Sequence, residues 1–95
     1  MKNTAIVARI KAAVRSGRYE VTEHAILEAE ADGFGPLDLR NGVLHGEIFR
    51  KLTRDPRGTR YIIRGTALDG RAIYIVCRFT ELREVRIITA YAEDE

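Results

Sequence analysis

The groups able to do chemistry in this chain are two histidines, one cysteine, four tyrosines and an uneven supply of arginine. Between Arg50 and Arg86 stand ten basic residues, nine of them arginine, against four acids, Asp55, Asp69, Glu81 and Glu84. Guanidinium groups fork onto phosphate and carboxylate oxygens, so this stretch favours an anionic partner, either a nucleic acid or an acidic protein. The competing reading is that arginines keep an open sheet face in water. Arg60, Arg64, Arg78 and Arg86 interleave with Tyr61, Tyr74 and Tyr91. Charge for phosphate and a ring for stacking are what an RNA-binding face needs. Arginine also stabilises the charge that develops on phosphorus during strand cleavage, while tyrosine or histidine moves a proton. His24 stands at the start of an expected helix, where the helix dipole disfavours a positive ring, so it is harder to explain away than His45. The structural alternative for His24 is a hydrogen bond to a nearby loop or strand. His45 falls at a helix end, where a positive charge suits the dipole.

Other chemistry finds little support. The chain has no phosphate loop, no HExxH pair, no Gly-x-Ser-x-Gly elbow and no paired metal ligands at helical spacing. Neither a metal nor a cofactor is expected. One cysteine allows no internal disulfide and no multi-cysteine zinc site. Cys77 falls among apolar residues of an expected strand, where it acts as a small hydrophobe.

The elements that must position these residues are legible from pattern. Ile6, Ile10 and Val14 recur every four residues and predict a helix from about Thr4 to Ser16, capped by Asn3 or Thr4 and stopped by Gly17. Tyr19-Glu20-Val21 reads as a short extended bridge. Thr22 is the expected cap of a second helix, with Ala25, Ile26, Ala29 and Leu27 inward and Gly33 as its stop. Pro36 opens a third helix carrying Leu37, Leu39, Val43 and Leu44, weakened by Gly42 and ended by Gly46. Four short runs rich in Ile, Val, Tyr, Phe and Thr follow: Ile48 to Leu52, Arg60 to Gly65, Ala72 to Phe79 and Val85 to Tyr91. Asp69-Gly70 marks a hairpin between the middle two. The fold class is therefore α+β, with two to three N-terminal helices packed on a four-stranded antiparallel meander. Simple alternation puts Val85, Ile87, Thr89 and Tyr91 on one face of the last strand, against Arg86, Ile88 and Ala90. On that count Tyr61 and Tyr91 turn inward, away from Arg60 and Arg64, although a one-residue bulge would reverse the facing.

Ninety-five residues suit one domain spanning residues 1–95. No apolar run reaches the length of a membrane span. The N-terminus carries no long apolar core like that of a secretory signal, so a cytoplasmic protein is expected. The acidic tail from Ala92 to Glu95 is expected to fray.

The pattern Val21-Thr22-Glu23-His24-Ala25, then Gly33-Phe34, Leu37-Asp38-Leu39 and Gly46-Glu47-Ile48, resembles the domain-of-unknown-function family 4258. So do Arg60-Tyr61-Ile62-Ile63-Arg64-Gly65, Gly70-Arg71 and the ending Ile87-Ile88-Thr89-Ala90-Tyr91. That family is similar to compact toxins of the RelE, ParE and BrnT kind, which pack N-terminal helices on an antiparallel sheet. The resemblance implies a type II toxin-antitoxin setting, with an antitoxin protein as partner, often a small zinc-ribbon protein encoded next door. It implies a metal-independent endoribonuclease acting on mRNA. His24, Arg60 and Tyr91 are then the catalytic candidates, and Arg64, Arg78 and Arg86 the RNA phosphate ligands. The chain lacks the dense lysine and arginine cluster of the most active RelE enzymes. The alternative is a non-enzymatic protein-binding module, a ParE-like inhibitor or a toxin relic, with Glu47 to Leu52 as an edge-strand dock. A DNA-binding role ranks last, because no helix carries a dense basic face.

Overall fold

The computed structural model of the protein describes residues 2–93. In chain order the elements are α1 (Lys2–Arg15), β1 (Tyr19–Val21), α2 (Glu23–Ala31), α3 (Pro36–Leu44), β2 (Glu47–Leu52), β3 (Arg60–Thr66), β4 (Ala72–Phe79) and β5 (Val85–Ala92). Helix α1 already includes Asn3 and Thr4, so neither caps it from outside. Thr22 does cap α2: its Oγ1 accepts the Ala25 N–H at 3.2 Å. Gly35 precedes α3, with Pro36 at its first position, and the Asp38 carboxylate accepts the Gly35 N–H at 2.8 Å.

The sheet has five strands in the order β1-β5-β4-β3-β2. The expected four-stranded meander is present as β2 to β5, each antiparallel to the next. The correction is β1, which adds a fifth strand parallel to β5, Tyr19 against Val85 and Val21 against Ile87. Three residues are too short to show alternation, so the sequence revealed extension there but no partner. Beyond Val21 the edge of β5 continues against α2 rather than against another strand. Thr22 N–H donates to the Ile87 carbonyl at 3.0 Å. Glu28 Oε1 then accepts the Ala90 N–H at 3.1 Å and Asp32 Oδ2 the Ala92 N–H at 2.8 Å. Carboxylates four apart, one on α2 and one at its C-cap, thus serve amides two apart on a strand, and these donors do not go unpaired.

The three helices lie to one side and at the β5 edge, and the core fills the space between. Ile10 and Val14 of α1, Leu39 and Val43 of α3, and Phe34 of the link meet Ile63, Ile73, Ile75, Cys77, Val85 and Ile87 of the sheet, all essentially without solvent contact. Each such aliphatic side chain contributes about 1.5–3 kcal/mol of burial. Helix α2 buries only Ala25 and Ala29, while Ile26 and Leu27 are exposed, as is Leu37 of α3. Gly42, which weakens a free helix, lets α3 touch the sheet. A Cβ on it would stand 2.7 Å from Ile73 and 2.8 Å from Ile75, and a Cβ on Gly65 of β3 would stand 1.9 Å from the Gly42 carbonyl oxygen.

One irregularity decides the far face. Val76 pairs with Thr89 and Cys77 with Ile87, so Ile88 is an extra residue in β5. Past this bulge the alternation inverts. Ala90 is buried, whereas Thr89 and Tyr91 join Arg86 on the face away from the core, contrary to the facing expected from simple alternation. Tyr61 keeps its expected inward side and is buried against the edge of Phe79.

Candidate functional site

The open face of the sheet is laid out in cross-strand rows, because paired residues of neighbouring strands project to the same side. At one end Glu20 of β1, Arg86 of β5 and Arg78 of β4 lie side by side, with Arg60 at the start of β3. The middle row is Thr89, Val76, Ile62 and Arg50, with two apolar residues at its centre. The next row is Tyr91, Tyr74, Arg64 and Glu47. Successive rows are two residues apart, roughly 7 Å.

Arg60, Arg64, Arg78 and Arg86 each lie beside an acceptor. Arg86 Nε donates to Glu20 Oε2. Arg60 Nε lies 3.0 Å from Asp55 Oδ2, in the loop between β2 and β3, and makes no hydrogen bond with it or with any other described residue. Arg64 Nε donates to Glu93 Oε1 at 2.7 Å. Arg78 donates to the Arg57 carbonyl at 3.2 Å and has no carboxylate partner among the described residues. The Arg57 backbone N–H, with Arg60, Arg57 and Arg78 nearby, holds the Asp55 carboxyl below its ordinary range. Hydrogen bonds from Arg64 and then Tyr74 do the same for Glu93. The reciprocal bond to Glu93 raises the Arg64 guanidinium. An open depression of about 500 Å³ runs along the arginine end, bordered by Glu20, Arg57, Arg78, Glu84 and Arg86. A second one lies over the loop, bordered by Lys51, Arg54, Arg57 and Arg60.

The other end of the face is aromatic. The rings of Tyr74 and Tyr91 stack at 5.5 Å, and Phe49 meets Tyr74 edge-on at 5.2 Å. Phe49 is 53% exposed. It occupies an irregularity of β2, where the pairing jumps from Ile48 to Arg50, and this carries its ring over the open face. Tyr74 also donates its hydroxyl to Glu93 Oε1 at 3.1 Å. Glu93 belongs to the tail that was expected to fray; Asp94 and Glu95 lie outside the described residues.

Of the six residues singled out from sequence, Arg60, Arg64, Arg78, Arg86 and Tyr91 share this face. His24 does not join them. It sits in the first turn of α2, 71% exposed, 3.7 Å from Glu28 one turn on. The same Glu28 oxygen takes the Ala90 amide, so His24 stands at the rim of β5 rather than over the sheet. His45 caps α3, its Nδ1 3.2 Å from the Asn41 carbonyl. Cys77 is fully buried, and burial pushes its thiol up to about 12, which leaves it unreactive at neutral pH. Sequence reasoning missed Phe49 and Glu93. An aromatic in a charged edge strand was a signal for the first; nothing local marked the second, whose partners are 29 and 19 residues away. Among the described residues no three His, Cys, Asp or Glu side chains gather as a metal site requires.

Helices on one face of a mostly antiparallel sheet, with arginine and aromatic rings on the other, define a small α+β protein that presents a built basic surface. Residues 21–92 match the family described as Domain of unknown function (DUF4258), and the chain belongs to that family. No curated protein and no solved structure matches it significantly. Among the described residues no helix is long and apolar enough to cross a membrane.

Proposed function

We propose that the protein binds single-stranded RNA on the open face of its sheet and is the toxin of a type II pair, cleaving mRNA in the cytoplasm without a metal. The observation that carries this reading is the shared surface: half-buried Tyr74 and Tyr91 and exposed Phe49 form an aromatic cluster, with Arg64 beside it and Arg78 and Arg86 two rows away. Rings that stack bases and guanidinium groups that take phosphates are the two components of sequence-tolerant single-strand binding. Helices layered on a largely antiparallel sheet support the likeness to RelE and BrnT toxins, and an antitoxin protein is the partner that setting supplies.

The chemistry is attack of a ribose 2′-oxygen on its own phosphorus. The P–O5′ bond breaks, a proton leaves the 2′-hydroxyl and one is delivered to O5′, giving a cyclic phosphate and a 5′-hydroxyl. Arg60, Arg64, Arg78 and Arg86 neutralise the phosphate as charge builds. Tyr91 on the face and His24 at its rim are the proton-transfer groups of this scheme.

The test is induced expression in a bacterial host, scoring growth and mRNA integrity, for the wild type beside Arg78→Ala, Tyr91→Phe and His24→Ala, each verified as folded. Growth arrest with RNA cleavage, reduced at least tenfold in Arg78→Ala, supports the reading. His24→Ala at wild-type activity removes His24 from the mechanism. Arrest with intact RNA supports a ParE-like action on a protein target.

A second reading has its own observation. Arg60, Arg64 and Arg86 already have carboxylates beside them, Asp55, Glu93 and Glu20, and among the described residues no strand pairs with the outer edge of β2. A non-enzymatic module would use that edge to take a partner's strand. Folded protein that neither arrests growth nor binds RNA, but forms a stoichiometric protein complex, supports this alternative.

A further inference from the structure

We infer that Phe49, Arg64, Tyr74 and Tyr91 form a subsite for one nucleotide of single-stranded RNA, and that Glu93 occupies its phosphate position in the free protein. The inference rests on the RNA-binding reading and specifies where on the face a nucleotide sits.

The geometry around Glu93 is that of a bound anion. One oxygen, Oε1, accepts both the Arg64 Nε–H at 2.7 Å and the Tyr74 hydroxyl at 3.1 Å. These are the donors a phosphate oxygen takes, and arginine offers them in a planar fork suited to phosphate as well as carboxylate. Both partners are reachable from solvent: the Arg64 side chain is 47% exposed and that of Glu93 38%. An ion pair so placed is screened by water and holds weakly, so an incoming phosphate can replace it. Within one side-chain length lie the rings. Tyr74 carries the anion contact at its hydroxyl while its ring stacks on Tyr91 and receives the edge of Phe49. Phe49, at an irregularity of its strand, leaves half its surface in water beside the Tyr74 ring. A base laid on this row covers it, with its phosphate on Arg64.

Helix α2 offers an internal control. Glu30 is exposed there and forms no ion pair among the described residues. Removing either Glu30 or Glu93 changes the net charge of the protein equally. Of the two, Glu93 alone holds Arg64 and Tyr74.

The experiment measures binding of a fluorescein-labelled uridine octanucleotide to the full chain by anisotropy, for wild type, Glu93→Gln, Glu30→Gln, Arg64→Ala and Phe49→Leu. Circular dichroism and thermal melts verify the fold of each. Glu93→Gln is expected to tighten binding by about fivefold, the factor for an exposed ion pair that no longer has to break. Glu30→Gln is expected to change it by less than about twofold, since an exposed charge on a helix away from the open face is screened. Phe49→Leu loses about tenfold through lost stacking. Equal effects of Glu93→Gln and Glu30→Gln, or an unchanged affinity in Glu93→Gln, would overturn the subsite while leaving RNA binding standing. If neither the wild type nor any variant binds the oligonucleotide, the RNA-binding reading fails and the subsite with it.

Discussion

Asp55 illustrates how single groups set the basic end of the face. Its carboxylate accepts the Arg57 N–H at 2.8 Å and lies 3.0 Å from Arg60, so one acid both shapes the loop and orients an arginine at the start of β3. Because its pKa in the folded protein is lowered below 3.8, the group stabilises the fold while it is ionised. That contribution is complete above 3.8 and is lost as pH falls through the lowered value. Asp55→Asn is therefore expected to be less stable than wild type at pH 7, with the difference closing toward strongly acidic pH. Urea denaturation at the two conditions measures this. A gap that stays constant with pH would mean that the charge of Asp55 contributes nothing. At the same scale His24 and Tyr91 changed standing relative to one another. Both were plausible proton-transfer groups by residue type, but only Tyr91 lies on the face with the arginines.

At the scale of elements, two close approaches hold the architecture. Helix α2 serves as the missing neighbour of β5: Glu28 and Asp32 accept the Ala90 and Ala92 amides. Glu28→Ala and Asp32→Ala should each cost about 1–2 kcal/mol by leaving a strand amide unpaired. Hydrogen exchange should rise at Ala90 in the first variant and at Ala92 in the second. Exchange unchanged at both amides would show that water serves them equally well. The second approach is α3 on β3. Gly65→Ala puts a Cβ where the Gly42 carbonyl oxygen already stands, so overpacking of about 3 kcal/mol or more is expected, visible as a large drop in melting temperature. Gly42 was legible as a defect in a helix and proved to be a contact surface. The difference is that helix propensity is a property of the segment, whereas the room for a Cβ belongs to its neighbour.

At the scale of the whole molecule, a formal net charge of only +2 conceals a sorted distribution, with arginines of β3, β4 and β5 gathered on one face. If that face binds RNA, affinity must fall with salt as counterions return to the strand. Engagement of three to four phosphates by Arg60, Arg64, Arg78 and Arg86 gives a slope of log K against log salt of about −2 to −3. The anisotropy titration repeated over a range of salt concentrations measures it. A slope near zero would leave stacking alone to carry any binding, and would remove the arginines from the interface.

Composition and local pattern alone determined the mixed fold class, all three helices, the Thr22 cap, the hairpin at Asp69-Gly70 and the four longer strands, including both ends of Ala72–Phe79. These are short-range consequences of side-chain period and turn chemistry, so they are written where they act. The tertiary structure decided the rest. The parallel pairing of β1 needs β5, more than sixty residues away. The facing of Tyr91 depends on one extra residue in β5, and a bulge is defined by the partner strand, not by the strand that carries it. Glu93 acquired its place from Arg64 and Tyr74 once the strands had aligned. The ingredients of a basic aromatic surface were therefore readable in the chain, but only register, which is a relation between strands, put them on the same side.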